Sequence, residues 1–350
     1  MLNFEPRRIV LIKPSALGDI VHSLPMLTAL RHRFPAAHIA WVVNRVYESL
    51  LRNHPHLDAT IPFNRGLARN GYVAATFGFT RFLRQLQSQR FDLAVDLQGL
   101  FRTGIMSFAT RARRRIGLAS AREGAACFYT DRIDDRSGAT HAVDRYWRVV
   151  EALGGGHREK QFVLPIDPAA QSWARTLLHG RPRPWLAIGV GARWLTKRWP
   201  PQHFASLTQR VLHDFGGTAI FVGAAEEREL TEQALARLRG NTINVAGETT
   251  LPQLAALLAE MDLMLANDTG PLHLAVALGR PVVAPYTCTL TARTGPYAQS
   301  GRGVETSVWC AGSYLKHCDR LECMAELTRE RLWPALQSVL MTWQQQRHSA

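Results

Sequence analysis

Arg8-Ile-Val-Leu-Ile-Lys13 running into Pro14-Ser-Ala-Leu-Gly18, and Trp185-Leu-Ala-Ile-Gly-Val-Gly191 far downstream, state one pattern twice. Each is an apolar run suited to a buried strand that breaks into a glycine-containing turn. After the first, Ile20, Leu24, Leu27 and Leu30 recur at helical spacing; after the second, a loop reaches Trp199-Pro200 before Phe204, Leu207, Val211 and Leu212 do the same. Strand, glycine loop, helix, twice over, predicts two doubly wound α/β domains with parallel sheets. Further short apolar runs extend the first domain at 39–43 and 93–97, and the second at 218–222, 242–245, 263–266 and 282–285. Helical patterns such as 251–258 lie between them, as parallel sheets require.

Gly154-Gly-Gly156, Pro165-Ile-Asp-Pro168 and Gly180-Arg-Pro-Arg-Pro184 punctuate the middle of the chain. The expected division is a domain over 1–165, a second over 180–330, and a helical tail over 331–350. Leu336, Val339, Leu340 and Trp343 share one face of that tail. Such a face needs a partner surface, so the tail is expected to pack back across the domain junction. Two such domains would set the carboxyl ends of their strands around one central cleft, where open α/β sheets bind ligands.

The 350 residues suffice for two cores, and 46% hydrophobic with 20% charged residues excludes general disorder. No run approaches the ~18 apolar residues of a membrane span; the longest candidate, 254–266, contains Glu260 and Asp262. Glu5, Arg7, Arg8 and Lys13 crowd the first residues without a secretory pattern, so a cytoplasmic protein is expected. Five cysteines argue against a disulfide framework, and Cys310, Cys318 and Cys323 lack the paired C-x-x-C hooks of structural zinc. No metal site is expected. Lys+Arg 42 against Asp+Glu 28 gives a net charge of +14. Residues 1–180 hold 25 basic and 14 acidic side chains, 181–350 hold 17 and 14, and only Lys13, Lys160, Lys197 and Lys316 are lysines. Such a field suits an anionic partner: nucleic acid, phosphorylated substrate or acidic membrane face.

Chemistry collects after the strands. Lys13 ends a buried strand, where an ammonium needs a counter-charge or an anion. Gly18 permits a tight turn and Asp19 enters the first helical turn, with His22 a turn later. An acid at Asp19 would also simply complement the helix dipole, and His22 could be an ordinary helix histidine. In Leu263-Met-Leu-Ala-Asn-Asp268-Thr-Gly-Pro271 a strand ends in a polar turn and Pro271 opens a helix. The amides of that helix start, with Thr269 and Gly270, form a corner suited to a diphosphate. Asp268 would repel phosphate, so it fixes the turn or meets a sugar hydroxyl. Arg193, Thr196 and Lys197 lie in the loop after the second domain's first strand. Gly189 and Gly191 there do not make a G-x-G-x-x-G, since Trp194 fills the third position. Glu226, or Glu227 beside it, follows another strand and suits a ribose, although either could be an ordinary helix-start acid.

Together these segments resemble the lipopolysaccharide heptosyltransferases, glycosyltransferase family 9, over essentially the full length. The likeness rests on Lys13-Pro-Ser-Ala-Leu-Gly-Asp19-Ile-Val-His22, Asp96-Leu-Gln-Gly-Leu100, Lys197-Arg-Trp-Pro200, Asp268-Thr-Gly-Pro-Leu-His273 and Cys318…Cys323-Met324. The opening segment looks most like the heptosyltransferase I subgroup. The resemblance implies a GT-B architecture and an inverting, metal-independent transfer from ADP-heptose to a Kdo/lipid A-type acceptor, with no cofactor. It implies that Asp19 is the general base and Lys13 tunes it. Lys197 would bind the diphosphate, Asp268 would contact the sugar, and Thr269, Gly270 and His273 would line the diphosphate corner. Arg193 and Thr196 would stand beside the phosphates, and Glu226 would take the ribose.

An anionic glycolipid acceptor and peripheral contact with the inner membrane face would suit the basic first half. Candidate acceptor residues are His22, Arg65, Arg69, Arg102, Arg115 and His141, with Arg81 and Arg84 nearby. The competing readings are a GT-B-like sugar-nucleotide 2-epimerase, a family 9 transferase of another nucleotide sugar, and a nucleic-acid-binding protein. No recognition helix or RNP-type aromatic module supports the last.

Overall fold

A computed structural model describes residues 4–64, 72–136 and 141–348. The chain divides into two units, Met1–Pro165 and Ile166–Ala350. The first holds strands β1 (Arg8–Ile12), β2 (His38–Asn44), β3 (Ala59–Phe63), β4 (Leu93–Asp96), β5 (Arg114–Leu118) and β6 (Asp131–Ile133). They pair in parallel in the order β3-β2-β1-β4-β5-β6. The second holds β7 (Trp185–Gly189), β8 (Thr218–Phe221), β9 (Thr242–Asn244), β10 (Leu263–Ala266), β11 (Val282–Tyr286) and β12 (Gly303–Glu305). Their order, β12-β11-β10-β7-β8-β9, is the same doubly wound topology, again all parallel.

The two apolar runs that announced the domains are β1 and β7, which sit inside their sheets. Ile9, Val10, Leu11 and Ile12 are fully buried, because a strand with parallel neighbours and helices on both faces has no polar side. Each sheet reverses direction beside its first strand. In the first unit the crevice opens between β1 and β4, where Ile12 pairs with Asp96; in the second it opens between β7 and β10, where Gly189 pairs with Ala266. The strands that the apolar runs did not reveal are explicable. β3 carries Pro62, tolerated because it is an edge strand, β5 begins with two arginines, and β6 and β12 are three-residue edges.

The punctuated stretch closes the first unit, whose end is tied down by the bond between His54 Nε2 and the Val163 carbonyl at 2.9 Å. Helix Pro168–Leu178 follows, capped by Asp167 through the Ala170 amide, and packs on helix Leu251–Glu260 of the second unit. Helix Arg329–His348 spends its apolar face in the second unit's core. Leu332, Trp333, Leu336, Val339 and Leu340 join Leu186, Ile188, Phe204 and Phe221 there. Truncation of that seam should therefore cost core stability. We expect Leu336→Ala to lose about 2–4 kcal/mol of unfolding free energy, read as a lowered urea midpoint. An unchanged midpoint would show that the Leu336 side chain does not hold this seam together.

Candidate functional site

In the first unit the site begins with Lys13, the residue immediately after β1. Its position at a strand end in the crevice buries it, and its ammonium donates to the Leu97 carbonyl beyond β4 at 3.2 Å. It lies 3.7 Å from Asp19 Oδ1 and 5.1 Å from the centre of the Tyr146 ring. Burial pushes the Lys13 pKa down, against the pull of Asp19 and Asp96. Asp96, the last residue of β4, is fully buried and accepts the Tyr129 hydroxyl at 2.7 Å and the Gln98 and Gly99 amides. Burial pushes its pKa up, with those donors opposing.

Asp19 sits in the first turn of helix Leu17–His22. Its Oδ2 accepts the Ala16 amide at 3.1 Å, closing the helix start, while Oδ1 accepts the Tyr146 hydroxyl at 3.0 Å. The bond that closes the helix start and the bond to Tyr146 thus use different oxygens. Tyr146 comes from helix Ala142–Ala152, and the same two helices bring the His22 and His141 rings to 5.1 Å. His141 also caps its helix by accepting the Val143 amide.

In the second unit the loop after β7 is clamped on both sides of Lys197. Asn267 bonds both the Val190 carbonyl and the Trp199 amide, buried Trp199 donates its indole N–H to the Leu327 carbonyl at 2.7 Å, and Arg198 donates to the Ala192 carbonyl. So held, Lys197 ends the short 3-10 turn Leu195–Lys197 with its ammonium 2.5 Å from Asp268 Oδ2. Asp268, just past β10, also accepts from Thr289 at 2.7 Å and pairs with His273 Nε2 at 3.1 Å. Burial would raise its pKa, but the His273 hydrogen bond and the Lys197 charge outweigh burial and hold it well below the usual carboxylate range.

The two ion pairs are inverted. In the first unit the lysine is 3% exposed and the aspartate 40%; in the second the lysine is 18% exposed and the aspartate 3%.

The other expected residues fall as follows. Thr269 and Gly270 lie half-buried at the start of helix Gly270–Ala277. His273 points to Asp268 Oδ1, and Lys197 and Thr289 meet Oδ2. Thr196 is buried, its hydroxyl spent on the Leu315 carbonyl at 2.5 Å. Arg193 is exposed. Glu226 is exposed, whereas Glu227 caps Ala224 and presses on Gly191, where a Cβ would meet its Cδ at 2.1 Å. Arg102 is exposed with its guanidinium 5.9 Å from the Phe63 ring centre; Arg115 donates to the Phe128 and Ala112 carbonyls. Arg81 and Arg84 are exposed on helix Tyr72–Ser88; Arg65 and Arg69 lie outside the described residues.

Sequence reasoning did not single out Tyr146, Thr289 or Lys316. Lys316 places its ammonium 5.6 Å from the Trp194 ring centre, which the Lys197 ammonium approaches to 5.0 Å. Two of the chain's four lysines thus lie near one indole.

Doubly wound sheets with charged groups at both switch points have the architecture in which ligands bind at the carboxyl ends of the strands. Residues 79–324 match the family model for glycosyltransferase family 9 (heptosyltransferase), and the chain belongs to that family and is a glycosyltransferase. It is 28% identical over 296 residues to the lipopolysaccharide core heptosyltransferase OpsX of Haemophilus influenzae, covering 83% of this chain and 82% of the relative. Among solved structures, a family 9 glycosyl transferase from Veillonella parvula matches with TM-score 0.82 at 22% identity, over 96% of this chain and 97% of that one. The E. coli heptosyltransferase WaaC with ADP matches with TM-score 0.73 at 22% identity, over 95% and 99%. The fold is therefore of the GT-B type seen in these enzymes. No described helix is long and apolar enough to cross a membrane.

Because Asp268 titrates lower folded than unfolded, it contributes stability present above its ordinary pKa of 3.8 and lost as pH falls below it. Asp268→Asn should remove about 3 kcal/mol at neutral pH by leaving Lys197 without its counter-charge. It should also flatten the acid limb of a stability–pH curve measured by urea denaturation. An acid limb as steep as that of the unmutated protein would remove Asp268 as its source.

Proposed function

We propose that this glycosyltransferase moves heptose from ADP-heptose to a Kdo/lipid A-type acceptor, inverting the anomeric centre, in lipopolysaccharide core synthesis. The inverted exposure of the two ion pairs carries the reading: one unit offers a carboxylate backed by a buried lysine, the other a cation backed by a buried carboxylate.

Asp19 takes the proton of the acceptor hydroxyl as that oxygen bonds to the anomeric carbon. The bond from that carbon to the diphosphate oxygen breaks, and ADP leaves with the electron pair. The oxocarbenium-like transition state then needs a base on one side and a positive clamp on the leaving group. Lys13 and Tyr146 hold Asp19 Oδ1 in place for the first task. Lys197, with the amides at Thr269 and Gly270, meets the leaving charge in the second, while Asp268 fixes Lys197. Arg193 stands at the phosphates, and Glu226 or its neighbour Glu227 takes the ribose. The presence of ADP in the WaaC structure supports an adenosine diphosphate donor.

Around Asp19, His22, His141 and Arg102 receive the acceptor, and the arginine surplus of the first half suits its carboxylates and phosphates. The acceptor being a lipid, the enzyme works in peripheral contact with the cytoplasmic face of the inner membrane.

Asp19→Ala should lower the rate of transfer from ADP-heptose roughly 100- to 10,000-fold while ADP still raises the melting temperature. Normal turnover in that variant would overturn the base assignment. Lys197→Ala should weaken the ADP response and slow turnover; if neither moves, the diphosphate site lies elsewhere. In a thermal-shift panel of ADP, UDP, GDP and CMP sugars, the adenosine species should stabilise most.

A further inference from the structure

The first unit carries a group of aromatic rings that neither its core nor its site uses. Helix Phe101–Ala109 exposes Phe101 by 50% and Phe108 by 57% of their surfaces. Phe128, on the turn Ala125–Phe128, lies between them, its ring centre 5.6 Å from Phe101 and 6.0 Å from Phe108. The arrangement is built. Gly104 supplies the seat, since a Cβ there would come within 2.6 Å of the Phe128 ring, and Arg115 pins the turn through the Phe128 carbonyl while its guanidinium lies 5.6 Å from the Phe108 ring centre. Residues 101–115 contain five arginines and no acid, with Arg102, Arg111 and Arg113 exposed. Glu123, whose carboxylate accepts the Phe101 amide, stands at the rim. The neighbouring helix Tyr72–Ser88 adds Phe77, 75% exposed, and Arg81 one turn further on.

We propose that this face docks on a bilayer surface carrying anionic lipids, the rings of Phe101, Phe108 and Phe128 entering the headgroup boundary and the arginines meeting lipid phosphates. An amphipathic surface with aromatic tips and a cationic surround binds membranes by burial of apolar area plus electrostatic attraction, and arginine stems can lie along the apolar layer with their heads in the phosphate layer. Charge excludes a second copy as the occupant. Self-association through this face would set the same arginines against each other, with the rim carboxylate of Glu123 alone among these residues to answer them. The assignment rests on the membrane contact proposed above and names the surface that makes it.

The test uses the full chain and vesicles free of any acceptor. The protein should co-sediment with phosphatidylethanolamine–phosphatidylglycerol vesicles, less at high salt, and far less with phosphatidylcholine vesicles. Phe101→Ser/Phe108→Ser should lower the partition about tenfold or more at unchanged melting temperature, and Arg111→Glu should weaken it and its salt dependence. In Phe108→Trp the new indole should be quenched by brominated lipid, a readout that survives even if the double variant misfolds. Absence of vesicle binding, equal partition of the double variant, or unquenched fluorescence would overturn the surface. So would lipid-free self-association, measured by sedimentation, that the double variant abolishes. Retention of the ADP-induced thermal shift in the same preparations would confine that failure to the docking face, whereas its loss would count against the donor reading.

Discussion

A lysine set across the switch-point crevice of each sheet is the constraint around which the rest is arranged. Lys13 reaches from the end of β1 to the backbone beyond β4, and Lys197 from the loop after β7 to Asp268 beyond β10. Taking an ammonium out of water costs several kcal/mol unless charge and hydrogen bonds replace the solvent. Their partners, Leu97 O and Asp19 for one, Asp268 for the other, must therefore be held within narrow limits. That demand explains neighbouring features with no chemistry of their own. Asn267 and Trp199 fasten the loop that carries Lys197, and Thr289 and His273 fasten the acid that receives it.

What could be read from the chain follows from how locally each feature is specified. β1, β7 and their loops are legible because a run such as Ile9–Ile12 with a polar break has few other physical outcomes. Lys13 and Asp268 are legible because charged residues just past buried strands are conspicuous, and Asp19 and Lys197 because they stand in the segments that lead on from those strands. Tyr146 is not, since its bond to Asp19 spans 127 residues and nothing beside it marks it out. Edge strands β6 and β12 are too short, and β3 too interrupted by Pro62, to leave a periodic trace. The difference in surroundings between exposed Glu226 and Glu227, packed on Gly191, exists only once the loop is folded. Asp268 shows the limit most clearly. Its position is readable, but its bonds to Lys197 and Thr289 depend on two other segments.

The composition divides the cationic work in a way that matches side-chain chemistry. Only four of the 42 basic residues are lysines, and two of these sit at the switch points. A compact ammonium fits a narrow crevice and meets one carboxylate or carbonyl as a point charge, where a planar guanidinium would need a wider, forked set of acceptors. The arginines lie mostly elsewhere. Some are pinned to carbonyls or acids, as with Arg115 and the Arg145–Asp135 pair, and others are exposed on the first unit. The net +14 thus describes a surface field, whereas the cations of the two sites are few and individually compensated.

The inversion between the two ion pairs follows from where each partner stands along its strand–loop segment. A residue at a strand's end is walled in by the neighbouring strands, so it is buried; one displaced into the following loop or helix overhangs the sheet and keeps contact with solvent. In the first unit the strand-end residue is Lys13 and the overhanging one is Asp19. In the second the residue close behind the strand is Asp268 and the overhanging one is Lys197. One topology therefore presents a negative group from one sheet and a positive group from the other. Exchanging which sign follows the strand directly makes one crevice present a carboxylate and the other an ammonium, with no change in the order of the strands.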